Sequence, residues 1–277
     1  LSSAIKKYAD FYGVACGKEN VLFTNNDTAY ETAISLNNKG IKINAIIDIR
    51  EQNKSDLTNE INKAGIKIYN SYTVIDTKGY KKINKITIMK LSKDGKTVTG
   101  SKIDINCDCL GVSGGWTPAV HLFTQSGGKL KFDDNDNIFI PNKYPSDQLS
   151  IGSCNGNLEL DDIISNINES LKNFLKIGKT NFENLKINSS KSISRRNVWL
   201  LPSNKTVSKT KAFIDFQNDA TAKDIKLALR EGFRSIEHVK RYTTTGMGTD
   251  QGKLGNMNAL GIICLLYTSD AADEFSC

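Results

Sequence analysis

Residues 21–50 constrain the fold more than any other stretch. A short apolar run, Val21-Leu22-Phe23, passes through the polar turn Thr24-Asn25-Asn26-Asp27 into a helical pattern over 28–38. Gly40 stops that pattern, and a second apolar run over 43–49 carries Asp48 near its end. Two apolar strands joined by one amphipathic helix make a βαβ unit, the opening of a nucleotide-binding sheet. The expected glycines are missing. Thr24-Asn25-Asn26-Asp27-Thr28-Ala29 stands where G-x-G-x-x-G would. Side chains then occupy the space in which backbone N–H groups meet a pyrophosphate, which argues against tight phosphate binding at residues 25–28. Asp48 is a candidate acceptor for a ribose hydroxyl, or a solvated acid at a strand end.

The chain continues in the same style. Residues 55–64 read as a helix stopped by Gly65, and 66–69 as a third strand. Residues 74–78, 82–91 and 97–105 alternate, with Gly79 and Asp94-Gly95 at the turns, so they predict an antiparallel meander ending in a hairpin. A small-residue strand over 107–113 leads into Gly114-Gly115-Trp116-Thr117-Pro118. The Gly114-Gly115 and Gly127-Gly128 pairs read as backbone turns, and His121 as a packed or surface residue. Leu149-Ser150-Ile151-Gly152-Ser153-Cys154-Asn155-Gly156 then predicts a strand and turn before a helix over 158–175. Glu159, Asp161 and Asp162 favour that helix's N-terminus. A βαβαβ–meander–strand order matches the NAD domain of two-dinucleotide-binding, glutathione-reductase-like flavoproteins. There one nucleotide-binding domain is inserted inside another, and the chain later returns to the first.

Residues 174–197, rich in Lys, Asn and Ser, read as a linker. Beyond Val198-Trp199-Leu200-Leu201-Pro202 the pattern is α-rich, with a helix over 221–232 capped by Thr221, and another over 235–242. A Gly/Thr-rich loop over 243–253 follows, and then a helix opening at Asn256. The 37 cations and 30 anions that give the net charge of +7 are interspersed, and no basic cluster is interleaved with aromatics. Nucleic-acid binding is therefore not expected. No run of 18 apolar residues indicates a membrane span. Leu1-Ser2-Ser3 carries neither Met nor a signal pattern, so the chain is expected to begin inside a longer protein. The string from Cys264 through Glu274 reads as translated sequencing adapter, so residues 264–277 are expected to lie outside the fold. Cys16, Cys107, Cys109 and Cys154 remain, and Cys107-x-Cys109 is too tight for an ordinary zinc pair. Reduced thiols in a cytoplasmic protein, with no metal site, are the reading.

Three strings resemble the alpha subunits of heterotetrameric sarcosine oxidases: Asn25-Asn26-Asp27-Thr28-Ala29-Tyr30, residues 112–130 beginning Val112-Ser113-Gly114-Gly115-Trp116-Thr117-Pro118, and residues 211–252 beginning Lys211-Ala212-Phe213-Ile214-Asp215. The family's subunit is much larger, so this chain reads as an internal fragment. It would lack the N-terminal dinucleotide turn and a C-terminal domain that handles tetrahydrofolate. The resemblance implies an α/β, two-dinucleotide-binding-domain fold, incomplete, followed by a small α-rich module. Its segments would be the end of the first domain (1–18), the inserted domain (19–148), the return strand and helix (149–178), a linker (179–209) and the module (210–263), with 264–277 an artefact tail.

The resemblance also implies chemistry. Sarcosine would be oxidised to glycine by O2, giving H2O2 and either formaldehyde or 5,10-methylenetetrahydrofolate, in an assembly with beta, gamma and delta subunits. FAD would sit in the beta subunit, FMN at the alpha–beta interface, and NAD in the alpha subunit. No catalytic residue is expected here, and the fragment alone should be inactive. The NAD contacts would fall on Gly152, Ser153, Gly156, Leu158 and Leu160, where small residues precede a helix N-terminus. Lys240, Arg241, Thr244, Thr245 and Gly246 would meet an FMN phosphate or the beta subunit, or form a purely structural loop. The 210–263 module resembles the 2Fe–2S domain of related amine and proline dehydrogenases. Its four thiolate positions read Asp215, Gln217, Asp250 and Gly255, so the cluster is expected to be absent. Two alternatives remain: an NAD(P)H-dependent flavin oxidoreductase of the disulfide-reductase class, and a non-catalytic scaffold subunit.

Overall fold

The computed structural model describes residues 1–51, 56–145, 148–175, 196–203 and 206–268. The chain divides into two compact units. The first comprises Leu1–Tyr72, Gly79–Asn84 and Asn106–Asn197, and the second comprises Thr73–Lys78, Lys85–Ile105 and Val198–Cys277.

The first unit opens with helix α1 (Ser2–Tyr12), then strand β1 (Asn20–Thr24), helix α2 (Thr28–Asn38), β2 (Ile43–Asp48), α3 (Asp56–Lys63) and β3 (Lys67–Asn70). The expected βαβαβ order is therefore present. Strands β4 (Tyr72–Gly79), β5 (Ile83–Leu91) and β6 (Val98–Asn106) form the expected three-stranded meander, in the order β4-β5-β6. Ser92 N–H donates to Thr97 O at 2.9 Å and Gly95 N–H to Ser92 O at 3.0 Å, closing the Asp94-Gly95 turn. Strand β7 (Cys109–Ser113) then returns to the first sheet, whose order is β3-β2-β1-β7. All three strand pairs of that sheet are parallel, with Thr24 level with both Asp48 and Ser113.

Every residue of β1 is buried, as expected of a central parallel strand covered on both faces. Helix α2 turns Ala29, Tyr30, Ala33 and Leu36 inward, a helical stripe that packs with Ile5, Leu22, Ile46 and Ile61. Each such large apolar side chain, fully buried, contributes about 1.5–3 kcal/mol. This core fixes the C-terminal edges of β1, β2 and β7 in one line, where ligands of open α/β sheets bind.

Beyond β7 come a short helix α4 (His121–Gln125), a hairpin of β8 (Lys129–Asp133) and β9 (Ile138–Lys143), and helix α5 (Leu160–Leu175). The sequence pattern did not reveal the hairpin, because its turn, Asp134-Asn135-Asp136-Asn137, carries no Gly to mark it. Asn137 adopts a left-handed φ of 53°, which lets this tight connection close. A return strand was expected at 149–151, but no described strand pairs with it. Its neighbours are β8 and β9, which pair with each other, and the chain goes directly into a 3-10 turn at Gly152–Asn155. The linker expected over 179–209 lies largely outside the described residues.

In the second unit, β10 (Phe213–Asp215) and β11 (Ala220–Thr221) form a small ribbon followed by α6 (Ala222–Arg230), α7 (Ile236–Thr243) and α8 (Asn256–Thr268). The Asp224 carboxylate accepts the Thr221 N–H at 2.8 Å and its hydroxyl at 2.7 Å, so the expected cap position is held. Ile214, Ile225, Val239, Ala259 and Ile262 form the module's core, and Gly261 presses on Trp199. Helix α8 runs unbroken through Cys264, the point at which the fold was expected to stop.

Candidate functional site

The crevice beyond β1, β2 and β7 is filled by the chain's own polar side chains. Asp48 is fully buried, with both carboxylate oxygens engaged. Oδ1 accepts the Arg50 backbone N–H at 2.9 Å, and Oδ2 accepts Arg50 Nη2 at 2.7 Å and the Tyr30 hydroxyl at 2.9 Å. Arg50 Nη2 also lies 2.8 Å from Asp27 Oδ1. Burial opposes the Arg50 charge, but the bonds and charges of Asp48 and Asp27 outweigh it, so the guanidinium holds its proton more firmly than usual. Burial, followed by the Asp48 charge and hydrogen bond, pushes the Tyr30 phenol up. The ribose role considered for Asp48 fails, because this acid is sealed inside an internal network.

The turn itself is closed in the same way. Asn26 Oδ1 accepts the Thr28 N–H at 3.1 Å and the Thr28 hydroxyl at 2.6 Å. Asn26 Nδ2 reaches Asn25 Oδ1 at 2.8 Å and Ser113 Oγ at 3.1 Å. Thr24 Oγ1 accepts the Asn26 N–H at 3.1 Å. The amides that a glycine-rich turn would offer to phosphate are thus taken by side chains. The sequence showed the missing glycines but not the roles of Tyr30 and Arg50. An Arg two residues beyond a strand-end Asp was the one signal available.

The second candidate turn lies before α5. Gly152 and Gly156 have φ of 76° and 91°, and a Cβ on Gly156 would lie 2.9 Å from Ile140 Cγ2. Only glycine fits there without displacing β9. Of the five expected contact residues, Ser153 and Leu160 are exposed, Gly156 and Leu158 half-buried and Gly152 buried. The Gly156 N–H donates to Ser153 O at 3.2 Å and the Asn157 N–H to Gly152 O at 3.3 Å, which fixes the turn. Asp161 and Asp162 occupy the first turn of α5 and place negative charge beside it.

In the module, three of the four residues expected at thiolate positions, Asp215, Gln217 and Asp250, are hydrogen-bond acceptors. Asp215 Oδ1 accepts the N–H groups of Gln217 at 2.8 Å and Asn218 at 3.1 Å, and Oδ2 accepts the Gly246 N–H at 2.8 Å. Gln217 Oε1 accepts the Thr249 N–H at 2.6 Å, and Asp250 Oδ1 the Gly252 N–H at 3.2 Å. A Cβ on Gly255 would sit 2.7 Å from the Ile214 carbonyl oxygen. Among the described residues no group of three or more His, Cys, Asp or Glu is arranged to hold a metal.

The five residues expected at the end of α7 and in the loop after it divide. Thr245 is buried, its hydroxyl 2.7 Å from that of Thr243, and the Gly246 N–H is held by Asp215. Arg241 and Thr244 are exposed, and Lys240 is half-buried beside Glu237. Lys240, Arg241 and Thr244 are the outward groups. His121, read as a packed or surface residue, is exposed. A recess of about 390 Å³ in the second unit, lined by Lys78, Thr87, Lys102 and Asp104 among others, contains none of the expected residues.

With this geometry in view, residues 209–274 match the sarcosine oxidase A3 domain family. The sarcosine oxidase subunit alpha of Rhizobium meliloti (strain 1021) is 33% identical over 270 residues, which is 95% of this chain and 25% of that protein. The chain is a relative of the sarcosine oxidase alpha subunits. The subunit alpha of Corynebacterium sp. (strain P-1) is 29% identical over 274 residues, again 95% of this chain and 28% of the relative. The chain therefore spans about a quarter of the length of these curated relatives. In fold it is similar to L-proline dehydrogenase from P. horikoshii, with a TM-score of 0.61 and 17% identity over 97% of this chain and 48% of that one. The fold class is α/β with a parallel dinucleotide-type sheet and a following α-rich module. Among the described residues no helix is long and apolar enough to cross a membrane.

Proposed function

We propose that this chain is the nucleotide-binding stretch of an alpha subunit in a flavin-dependent sarcosine oxidase. The whole enzyme would convert sarcosine, water and O2 into glycine, formaldehyde and H2O2, or pass the one-carbon unit to tetrahydrofolate. The observation that carries this reading is the similarity to sarcosine oxidase alpha subunits along 95% of the chain. Amine oxidation would belong to FAD in a beta subunit, so this chain needs no acid, base or nucleophile at a reacting centre. The filled crevice between β1 and β7 accords with that division of labour. It counts against the flavin reductase alternative, which would need an open glycine-rich turn there.

NAD fits the Gly152–Asn155 turn better than the crevice. The exposed Ser153 hydroxyl can donate to a pyrophosphate there, beside the positive-φ turn that Gly152 and Gly156 allow. Leu158 and Leu160 offer apolar surface beside the turn. Lys240, Arg241 and Thr244 would face an FMN phosphate or the beta subunit. Beta, gamma and delta partners and a cytoplasmic setting complete the proposal.

The test is to purify the full-length complex, denature it and identify the released nucleotides. Stoichiometric NAD and FMN support the reading. A complex with full sarcosine oxidase activity but no NAD removes the role proposed for residues 152–160. Turnover of sarcosine by the 277-residue chain alone would overturn the division of labour.

A further inference from the structure

The crevice of the parallel sheet is closed from outside as well as from within. Asn25 Nδ2 lies 3.1 Å from the Arg196 carbonyl oxygen and 3.1 Å from Asn197 Oδ1. The same amide reaches Gly114 O at 3.2 Å, so it ties β7's exit to the incoming segment. Arg196 Nη1 donates to the Ile49 carbonyl at 2.7 Å, directly beyond β2. Asn197 Nδ2 donates to Asp136 O at 3.3 Å. Residues 196–197 thus bond to the residues just beyond β1 and β2 and to the β8–β9 turn, and reach the end of β7 only through Asn25, all within the first unit.

These are the positions at which a dinucleotide contacts such a sheet. The turn after the first strand meets the pyrophosphate, and the end of the second strand meets the ribose. A dinucleotide entering here would displace Arg196 and Asn197. It would then meet the buried carboxylates of Asp27 and Asp48, with Arg50 already bound to both. An anion would gain no free backbone N–H from Asn26 or Thr28, since both are taken by side chains.

We propose that this crevice is an intramolecular docking site whose resident occupant is the Arg196–Asn197 segment, and that it takes no dinucleotide. Its role is to fix the point at which the chain leaves the first unit. Hydrogen bonds supply that anchor: a carbonyl, an amide and a guanidinium each meet a group of matching polarity. The proposal does not depend on whether NAD binds at residues 152–160.

Two measurements on the purified full chain test it. Trypsin cuts after Arg196 only when that peptide bond leaves the crevice. Asn25→Ala removes the bonds to both docked residues and should speed cleavage of the Arg196–Asn197 bond roughly tenfold. Asn197→Ala, which leaves β1 untouched, should raise the same rate by a smaller factor and covers the case in which Asn25→Ala does not fold. Unchanged rates in folded variants overturn the anchor. The second measurement is photolabelling with 8-azido-NAD and 8-azido-NADP, mapped by peptide mass spectrometry. No label within 21–50 supports the closed crevice, whether or not 152–160 is labelled. Saturable label within 21–50, competed by NAD or NADP, overturns it, the NADP arm covering a phosphate drawn by Arg196. Missing label at 152–160 would count against the proposed NAD turn alone.

Discussion

Arg50 Nη2 lies 2.7 Å from Asp48 Oδ2, and the Asp48 side chain has no exposed surface. The same nitrogen is 2.8 Å from Asp27 Oδ1, so one guanidinium bridges two enclosed carboxylates. Removing one partner of a buried ion pair costs about 3–5 kcal/mol, because the remaining charge stays desolvated. Arg50→Leu should therefore lower the unfolding free energy of the first unit by at least about 3 kcal/mol. Urea denaturation followed by fluorescence reads this directly. Arg50→Leu combined with Asp27→Asn and Asp48→Asn should recover part of the loss, since no unpaired charge then remains. A single Arg50→Leu variant as stable as the parent would contradict the assignment of this triad as a structural unit.

The acceptor role of Asp215 has a pH signature. Burial alone would raise its carboxyl, but the N–H groups of Gly246, Asn218 and Gln217 and the Asn218 amide outweigh it and hold the acid below the usual carboxylate range. With the folded value below the unfolded one, the stabilisation is fully present above about pH 4 and is lost as pH falls through the folded value. At pH 7 Asp215→Asn should cost about 1–3 kcal/mol, the loss expected when a buried acceptor array is broken. The gap between parent and variant should narrow steadily below about pH 4. Denaturation curves at several pH values measure it, and a gap constant down to strong acid would refute the acceptor role.

The sheet was legible because β1 and β2 are short apolar runs with Gly40 and Thr28 at the helix boundaries, and buried parallel strands have no other pattern to show. The absence of Cys at residues 215, 217, 250 and 255 was legible too, because it is visible as a residue type. The crevice network was not. Arg196 lies 171 residues from Asn25, and nothing local in either sequence demands the other. Hydrogen bonds at that separation follow from topology rather than periodicity. The β8–β9 hairpin was missed for a different reason: a four-residue turn of acids and amides carries no Gly to mark where the left-handed residue falls, and Asn137 takes that place. Helix α8 shows that a stretch set aside on its likeness to adapter sequence can still continue a helical pattern.

Cysteine reactivity offers a test of the β1–β7 edge. Cys107 is buried, and burial, reinforced by the neighbouring Cys109, Asp108 and Glu19, pushes its thiol up to about 11. At pH 8 only about 0.1% of such a thiol is thiolate, the reactive form. Cys16 is exposed. Iodoacetamide at pH 8 should alkylate Cys16 at least about 100-fold faster than Cys107 in the folded chain, with the difference vanishing in urea. Mass spectrometry of timed samples distinguishes the two sites. Equal rates under native conditions would mean that the β6–β7 connection carrying Cys107 opens freely.

Gly156 provides the sharpest separation between the turn as structure and the turn as binding site. Its φ of 91° is strained for any residue with a Cβ, and that Cβ would stand 2.9 Å from Ile140 Cγ2. The left-handed conformation costs about 1–2 kcal/mol for an L-residue. Overpacking against β9 adds about 1–3 kcal/mol. Gly40 has a similar φ of 74° but open space around it, so Gly40→Ala carries the backbone cost without the clash. Gly156→Ala should therefore be the less stable of the two. If residues 152–160 also hold a pyrophosphate, Gly156→Ala should lose NAD from the full-length complex, whereas Gly40→Ala should keep it. Both quantities are measurable on the same preparations, by thermal unfolding and by the NAD released on denaturation. A Gly156→Ala complex that is destabilised yet carries its full complement of NAD would leave the turn as a structural element only.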